Sequence, residues 1–441
     1  MSKNCISGIL PVFTLVLAFA GAMPAGEPIF VPIKIDGPVH DPANGSFWYG
    51  PFAESASVID VNNDGRPDIS AGRNWYEGPN FTVKHKDFFE GAEKWNPVWG
   101  HFREIALDVN KDGRMDIVNT CYQTTTMGLW WQENPGDPTK KWPVHILEPP
   151  GPLEGPELYD LDGDGDLDIL INYFDPKGGV TWYESIDKEP WLVKHVIGAE
   201  GNDHGNGAGD INGDGRLDIV TRHGWWEAPK NPRDDRAWRF HNDWDLNYTA
   251  SHPMLVYDVN GDGLADIIVG NAHGYGLFWY EQKIENGRRR FVEHTIESDY
   301  GPFHTMVLAD VNGDGKPDLV TGRRLFAHDG NDEGDHDPLF IFWYDIKGGK
   351  FERHVVSFGN LQWYPDRKGI NTPPQVAIGT GMKISVADIN LDGKVDILVS
   401  GRSGLYLFLN QGFAPRPKKD HPYAPLIGIR LEGHKKYEYP Q

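Results

Sequence analysis

A nine-residue phrase is written seven times along the chain: "DVNNDGRPD" at Asp60, "DVNKDGRMD" at Asp108, "DLDGDGDLD" at Asp160, "DINGDGRLD" at Asp210, "DVNGDGLAD" at Asp258, "DVNGDGKPD" at Asp310 and "DINLDGKVD" at Asp388. Successive copies begin 48, 52, 50, 48, 52 and 78 residues apart. A period near fifty residues is hard to reconcile with two or three independent domains. It calls for an array of supersecondary units, each burying its apolar face against the next.

Within each phrase oxygen donors alternate, which turns them to one side of a tight loop, and the glycine at the sixth position permits the turn. The donors are Asp60, Asn62, Asp64 and Asp68; Asp108, Asn110, Asp112 and Asp116; Asp160, Asp162, Asp164 and Asp168; and Asp210, Asn212, Asp214 and Asp218. The later copies supply Asp258, Asn260, Asp262 and Asp266; Asp310, Asn312, Asp314 and Asp318; and Asp388, Asn390, Asp392 and Asp396. Hard oxygen ligands at this spacing predict calcium, up to seven ions. The loop is not an EF-hand, because Ala71 stands where a twelfth-position glutamate belongs and "SASVI" and "ISAG" around it read as strands. The formal charge of −22 is then largely a property of the loops, since one divalent ion in each would bring it to about −8. That acidity argues against nucleic acid and anionic lipid as partners.

Each repeat goes on with a second strand ("ADIIVG"), an aromatic third strand ("GLFWYEQ", "GVTWYES", "FIFWYDI") and an outer strand carrying a histidine ("FVEHTI", "WLVKHVI", "FERHVV"). Four short strands per repeat predict an all-β fold, a seven-bladed β-propeller over 29–410. The segment "IFVPIKIDG" precedes the first loop and reads as an outer strand, whereas the last repeat ends on "LYLFLNQG". The N-terminal strand is therefore expected to close the last blade, and 411–441 is a C-terminal extension. Residues 1–22 read as a signal peptide, with one lysine ahead of an apolar run, so the protein is expected to be secreted or periplasmic. Cys121 is the only cysteine beyond that segment, which excludes an internal disulfide, and no later stretch is apolar enough for membrane insertion.

The loop between two strands, repeated seven times, resembles the FG-GAP or VCBS-type repeat of calcium-bearing seven-bladed propellers, including the integrin α-subunit head. That resemblance implies the fold, while this repeat serves adhesion, lectin and lyase proteins alike.

If the first strand of each blade runs into its loop, the start of that strand and the turn after the second strand share the opposite face. Counting back from each loop gives Glu54, His101, Glu154, His204, His252, His304 and Met382 as a ring around the channel mouth. Counting forward gives Arg73, Cys121 with Tyr122, Tyr173, His223, Asn271 with His273, Arg323 and Arg402. Ionisable groups around one axis are costly to bury unless they bind a metal or do chemistry. Three histidines and a glutamate, His204, His252, His304 and Glu154, suit zinc or another divalent transition metal. His85, His145, His195, His241, His294 and His354 recur at one place in the outer strands and are expected to be structural. The longest insertions open on the same face as the ring and carry Trp99, Trp244, Tyr248 and Trp363, aromatic faces suited to sugar rings.

"GRNWYEGP", "WWEAP" and "FWYE" after the second strands, with the inner histidines, resemble the propeller portion of aldos-2-ulose dehydratases and related keto-sugar lyases. The fungal enzymes of that kind also carry cupin domains, which this chain lacks. The resemblance implies elimination next to a sugar carbonyl. For that chemistry the residues expected to act are some of Glu154, His204, His252 and His304 at a metal, Arg73, Arg323 or Arg402 assisting, and His101, His223 or Tyr173 moving protons. Trp99, Tyr122, Trp244, Tyr248, His273, Trp363 and Arg402 are the expected substrate contacts, and the partner a carbohydrate. A non-catalytic sugar-binding or adhesion propeller is the alternative. A glycoside hydrolase is the third, since Glu54 and Glu154 offer paired carboxylates.

Overall fold

Each acidic loop joins two antiparallel strands: in the first blade β2 (Ser57–Ile59) runs into the loop and β3 (Asp68–Ala71) leaves it. The computed structural model describes residues 27–37, 54–92, 103–121, 128–174, 178–325, 330–335, 337–359 and 378–414. They form 28 strands in seven four-stranded sheets and contain no α-helix. None of the described residues makes a helix long and apolar enough to cross a membrane. Six sheets run in sequence order from inner to outer strand. In the seventh, β1 (Glu27–Asp36) lies antiparallel on β28 (Gly404–Ala414), followed by β27 (Asp396–Gly401) and the innermost β26 (Ile384–Ala387), so the N-terminal strand closes the ring as expected.

Packing between neighbouring blades seals the ring. Ile105, Leu107 and Val118 of blade two interlock with Ile169, Ile171 and Tyr183 of blade three. Ile69 and Tyr76 of blade one do the same with Leu398, Leu405 and Leu407 of blade seven. The second strands, such as β19 (Asp266–Gly270), are buried along their whole length because both faces meet other blades.

The outer histidines are structural. Each lies directly across from a tryptophan of the third strand, as in Trp182↔His195 and Trp279↔His294, and stacks on it with ring centroids 3.7 to 4.5 Å apart in six blades. In five of them the imidazole Nε2 then meets a glutamate two residues after the tryptophan (Glu77, Glu133, Glu184, Glu227 and Glu281), at 2.7 to 3.3 Å.

The loops are built as their spacing suggests. The sixth-position glycines take φ between 81° and 97°, a left-handed conformation costly for other residues. The first aspartate accepts backbone N–H groups from within its loop, as Asp60 does from Asp64 and Gly65. The ninth aspartate has a second duty that its spacing does not reveal. One oxygen of Asp116 accepts from Val109 N and the other from Asn134 N at the end of the third strand, and Asp68, Asp168, Asp218, Asp266 and Asp396 bracket their blades in the same way.

Candidate functional site

The start of the innermost strand and the end of the second lie side by side, as the pairs Leu153↔Tyr173 and Phe303↔Arg323 show. This is the end of each blade away from its acidic loop. There Glu154 enters from β10 (Leu153–Tyr159), His204 from just before β14 (Asn206–Gly209), His304 from β22 (Phe303–Ala309) and His273 from the turn after β19.

These four converge. Ligand atoms of His204, His273 and His304 all lie within 4.8 Å of one another, and the ring centroids are 5.1 to 5.5 Å apart. Glu154 stands against them, with Oε2 2.5 Å from His204 Nε2 and Oε1 3.4 Å from His304 Nε2. Although the first of these separations is short, neither atom has an aligned hydrogen bond, nor does either nitrogen of His304. Misaligned donors closing on one point suit a shared cation better than a direct bond. The outer nitrogens are tied down: His204 Nδ1 lies 2.7 Å from the Ala250 carbonyl and His273 Nδ1 2.6 Å from Asp332 Oδ2. That arrangement fixes the tautomer and leaves Nε2 as the donor, as in metal-ligating histidines.

The electrostatics agree. Burial alone would push Glu154 up, but His204 and His304 outweigh it and hold the carboxyl well below the usual range. His304 is driven down to about 3 chiefly by burial, and burial also lowers His273. For His204, burial is overcome by Glu154 and the shift is upward. One carboxylate and at least two neutral imidazoles form a donor set of the zinc class.

His252, expected among the ligands, neighbours the cluster through its N–H to the His304 carbonyl (3.1 Å) but is not in the group whose ligand atoms lie within 4.8 Å of one another. Its ring is buried with Nε2 3.8 Å from Glu157 Oε1, and burial followed by the Arg103 charge holds it well below the ordinary histidine range. Arg103 comes from blade two and crosses the axis: Nη1 donates to the carbonyls of His252 (3.1 Å) and Met382 (2.6 Å), and Nη2 pairs with Glu157. Gly155 makes room for this floor, since a Cβ there would stand 2.3 Å from His252 Cδ2 and 2.9 Å from Arg103 Cδ. Replacing Gly155 with alanine is expected to lower stability by about 1–3 kcal/mol, read by denaturant unfolding. A variant as stable as the parent would show that the floor is loose.

Around this centre lies a charged rim. Glu54 is held between Arg324 Nε (3.2 Å) and Arg402 Nε (3.3 Å). His223 Nδ1 is 2.5 Å from Asp245 Oδ1 and its Nε2 3.3 Å from Asp203, which Arg222 also pairs at 2.5 Å. Other expected residues have contacts of their own. Arg73 pairs with Asp87 inside blade one, Arg323 is buried and donates to the Asp337 carbonyl, and Tyr173 receives Asn202 Nδ2 on its carbonyl at 2.6 Å. Trp244 and Tyr248 correct the expectation of open stacking faces. Both pack in the core between blades four and five, where Trp244 Nε1 donates to the Thr221 carbonyl and Tyr248 stacks on Phe278. His101, Trp99, Tyr122 and Trp363 lie outside the described residues. His273, expected as a substrate contact, lies with His204 and His304 in the group that could hold a metal ion. Arg103, Glu157, Arg324 and Asp332 were not singled out by sequence, although Arg324 adjoins Arg323.

With this geometry in hand, a family model described as an FG-GAP-like repeat matches residues 108–171, 160–221 and 258–321. Those stretches are similar to FG-GAP-like repeats. Among curated proteins, this chain is 26% identical over 172 residues to a T-cell immunomodulatory protein homolog of Plasmodium falciparum, covering 36% of this chain and 20% of that one. The chain thus spans about a fifth of that relative's length. Among solved structures, it aligns with an Agrocybe aegerita lectin described as recognising non-reducing terminal N-acetylglucosamine (17% identity, TM-score 0.47, 75% of this chain and 90% of that one). It also aligns with the V. cholerae biofilm matrix protein Bap1 (12%, TM-score 0.37, 82% and 88%) and with an auxiliary nutrient binding protein from Bacteroides ovatus (8%, TM-score 0.40, 70% and 69%).

Proposed function

We propose that the protein is an exported, metal-dependent carbohydrate lyase that eliminates a group next to a sugar carbonyl at the axial end opposite the acidic loops. The observation that carries this reading is the buried convergence of Glu154, His204, His273 and His304, in which Glu154 Oε2, His204 Nε2 and His304 Nε2 have no aligned hydrogen bond. A divalent transition ion held there supplies Lewis-acid polarisation of a ligand oxygen. In the elimination a C–H and a C–O bond break, a C=C bond forms, a base keeps the proton and the leaving oxygen takes one up. His223, oriented by Asp245 and open to solvent, is placed to take the proton, with Asp203 and Arg222 behind it. Arg324 and Arg402, gathered on Glu54, orient an anionic or hydroxyl oxygen of the sugar.

The acidic loops are proposed as calcium sites. Burial, then the carboxylates of Asp112 and Asp108, push Asp116 up to about 8, a crowding that a bound cation relieves. A binding propeller without turnover is the second reading, supported by the rim, whose carboxylates and arginines suit sugar hydroxyls. Incubation with 3-keto-glycosides and with uronate polysaccharides separates the two. An ultraviolet-absorbing enone or unsaturated sugar that disappears on removal of transition metal is expected. Binding of either sugar without such a product would transfer the reading to the lectin class.

A further inference from the structure

Blade six departs from the rule that governs the other outer histidines. In five blades the acid two residues past the tryptophan is a glutamate long enough to reach the imidazole Nε2. In blade six that position is Asp345, one methylene shorter. Its stacking histidine, His354, lies on Trp343 with centroids 4.0 Å apart and is buried, yet its Nε2 has no hydrogen-bond partner. An unpaired buried imidazole nitrogen is costly, and five sister blades show how easily the chain avoids it.

The neighbours of that nitrogen are unusual too. Across from Asp345 in the β24–β25 ladder (Leu339–Lys347 and Lys350–Gly359) stands Glu352, an acid directly opposite an acid. The corresponding partners are Val83, Val193 and Val292 in blades one, three and five and Arg239 in blade four. Like charges placed directly opposite destabilise a sheet unless something neutralises them. Lys347 pairs with Asp345. Strand alternation puts Trp343, Asp345, Glu352 and His354 on one face of the blade. Ligand atoms of Asp345, Glu352 and His354 all lie within 4.8 Å of one another. On its other side His354 Nδ1 meets Glu27 Oε2 at 2.8 Å, so a carboxylate orients the imidazole and leaves Nε2 as the donor.

We propose that His354 Nε2, Asp345 and Glu352 form a second transition-metal site of the zinc class, with Glu27 as its orienting carboxylate. The mixed nitrogen and oxygen set selects zinc over calcium, unlike the all-oxygen loops. Glu27 belongs to β1, so the site fastens the strand that closes the ring to blade six, which precedes the closed blade. It lies apart from the central cluster and is independent of the reading given for that cluster.

The test counts zinc on the full-length protein in excess calcium, with Glu352→Gln and Asp345→Glu compared with the parent. Glu352 is exposed, so its replacement leaves the fold and turnover intact. Glu352→Gln is expected to bind one zinc equivalent fewer than the parent and to lose the zinc-dependent rise in melting temperature assigned to this site. Asp345→Glu restores the length found in the other blades. It is expected to lose the same equivalent while melting no lower than metal-free parent. An unchanged zinc count in both variants, with an unchanged zinc-induced thermal shift, would overturn the proposal.

Discussion

Replacing Glu154 with glutamine is expected to strip the central transition metal from the protein and to lower turnover about a thousandfold, while shifting the melting midpoint by only a few degrees. The isosteric change keeps the volume and removes the one negative charge among three imidazoles. Lewis-acid stabilisation is worth several kcal/mol at the transition state, and each 1.4 kcal/mol is about tenfold in rate. Stability suffers less because His204, once without its carboxylate, gives up its proton instead of remaining charged in a buried place. Metal analysis beside a single-turnover assay reads both quantities. A Glu154→Gln protein with its full complement of transition metal and undiminished turnover would remove the centre from the chemistry.

Chelation of calcium is expected to have the largest effect on stability. Each loop gathers aspartates at its first, fifth and ninth positions, and the ninth is buried within the blade. A ligand held at a hundred times its dissociation constant adds about 2.7 kcal/mol per site. Three occupied loops would therefore contribute roughly 8 kcal/mol, and at about 1–2 °C per kcal/mol for a chain of this size the midpoint should fall by about 10 °C or more. Calorimetry with and without a calcium-selective chelator measures it, and restored calcium should restore the midpoint. Complete calcium removal with no thermal change would leave the loops as ordinary turns.

Architecture was legible because it is written as period. Seven loops with a glycine where φ must be positive, flanked by short apolar strands, leave little but a closed propeller, and the stray N-terminal strand could pair only with the last blade. The centre was half legible. Counting from the loops found Glu154, His204 and His304, because in an extended backbone equal residue counts from each loop reach equal heights. The same count put His252 in the set, and its ring packs against Gly155 while Arg103 donates to its carbonyl, contacts that counting does not reveal. His273 reached the ligand set through a turn whose shape no count predicts, and Asp332 through an insertion that folds back over it. Trp244 and Tyr248 misled because an aromatic ring in an insertion looks alike whether it faces solvent or a neighbouring blade.

The pairing of β1 with β28 sets a temporal order on folding. Glu27 and Ala414 are register partners, so the seventh sheet joins segments from the two ends of the described chain, while the other sheets draw their strands from consecutive sequence. Six blades can assemble as they emerge, but the ring stays an open arc with two unpaired edges until the final strand arrives. Until that moment Phe30 and Ile35, which pack against the cores beside blade seven in the closed ring, wait on an unmatched ribbon, which makes the interval before closure the period of greatest exposure to misassembly.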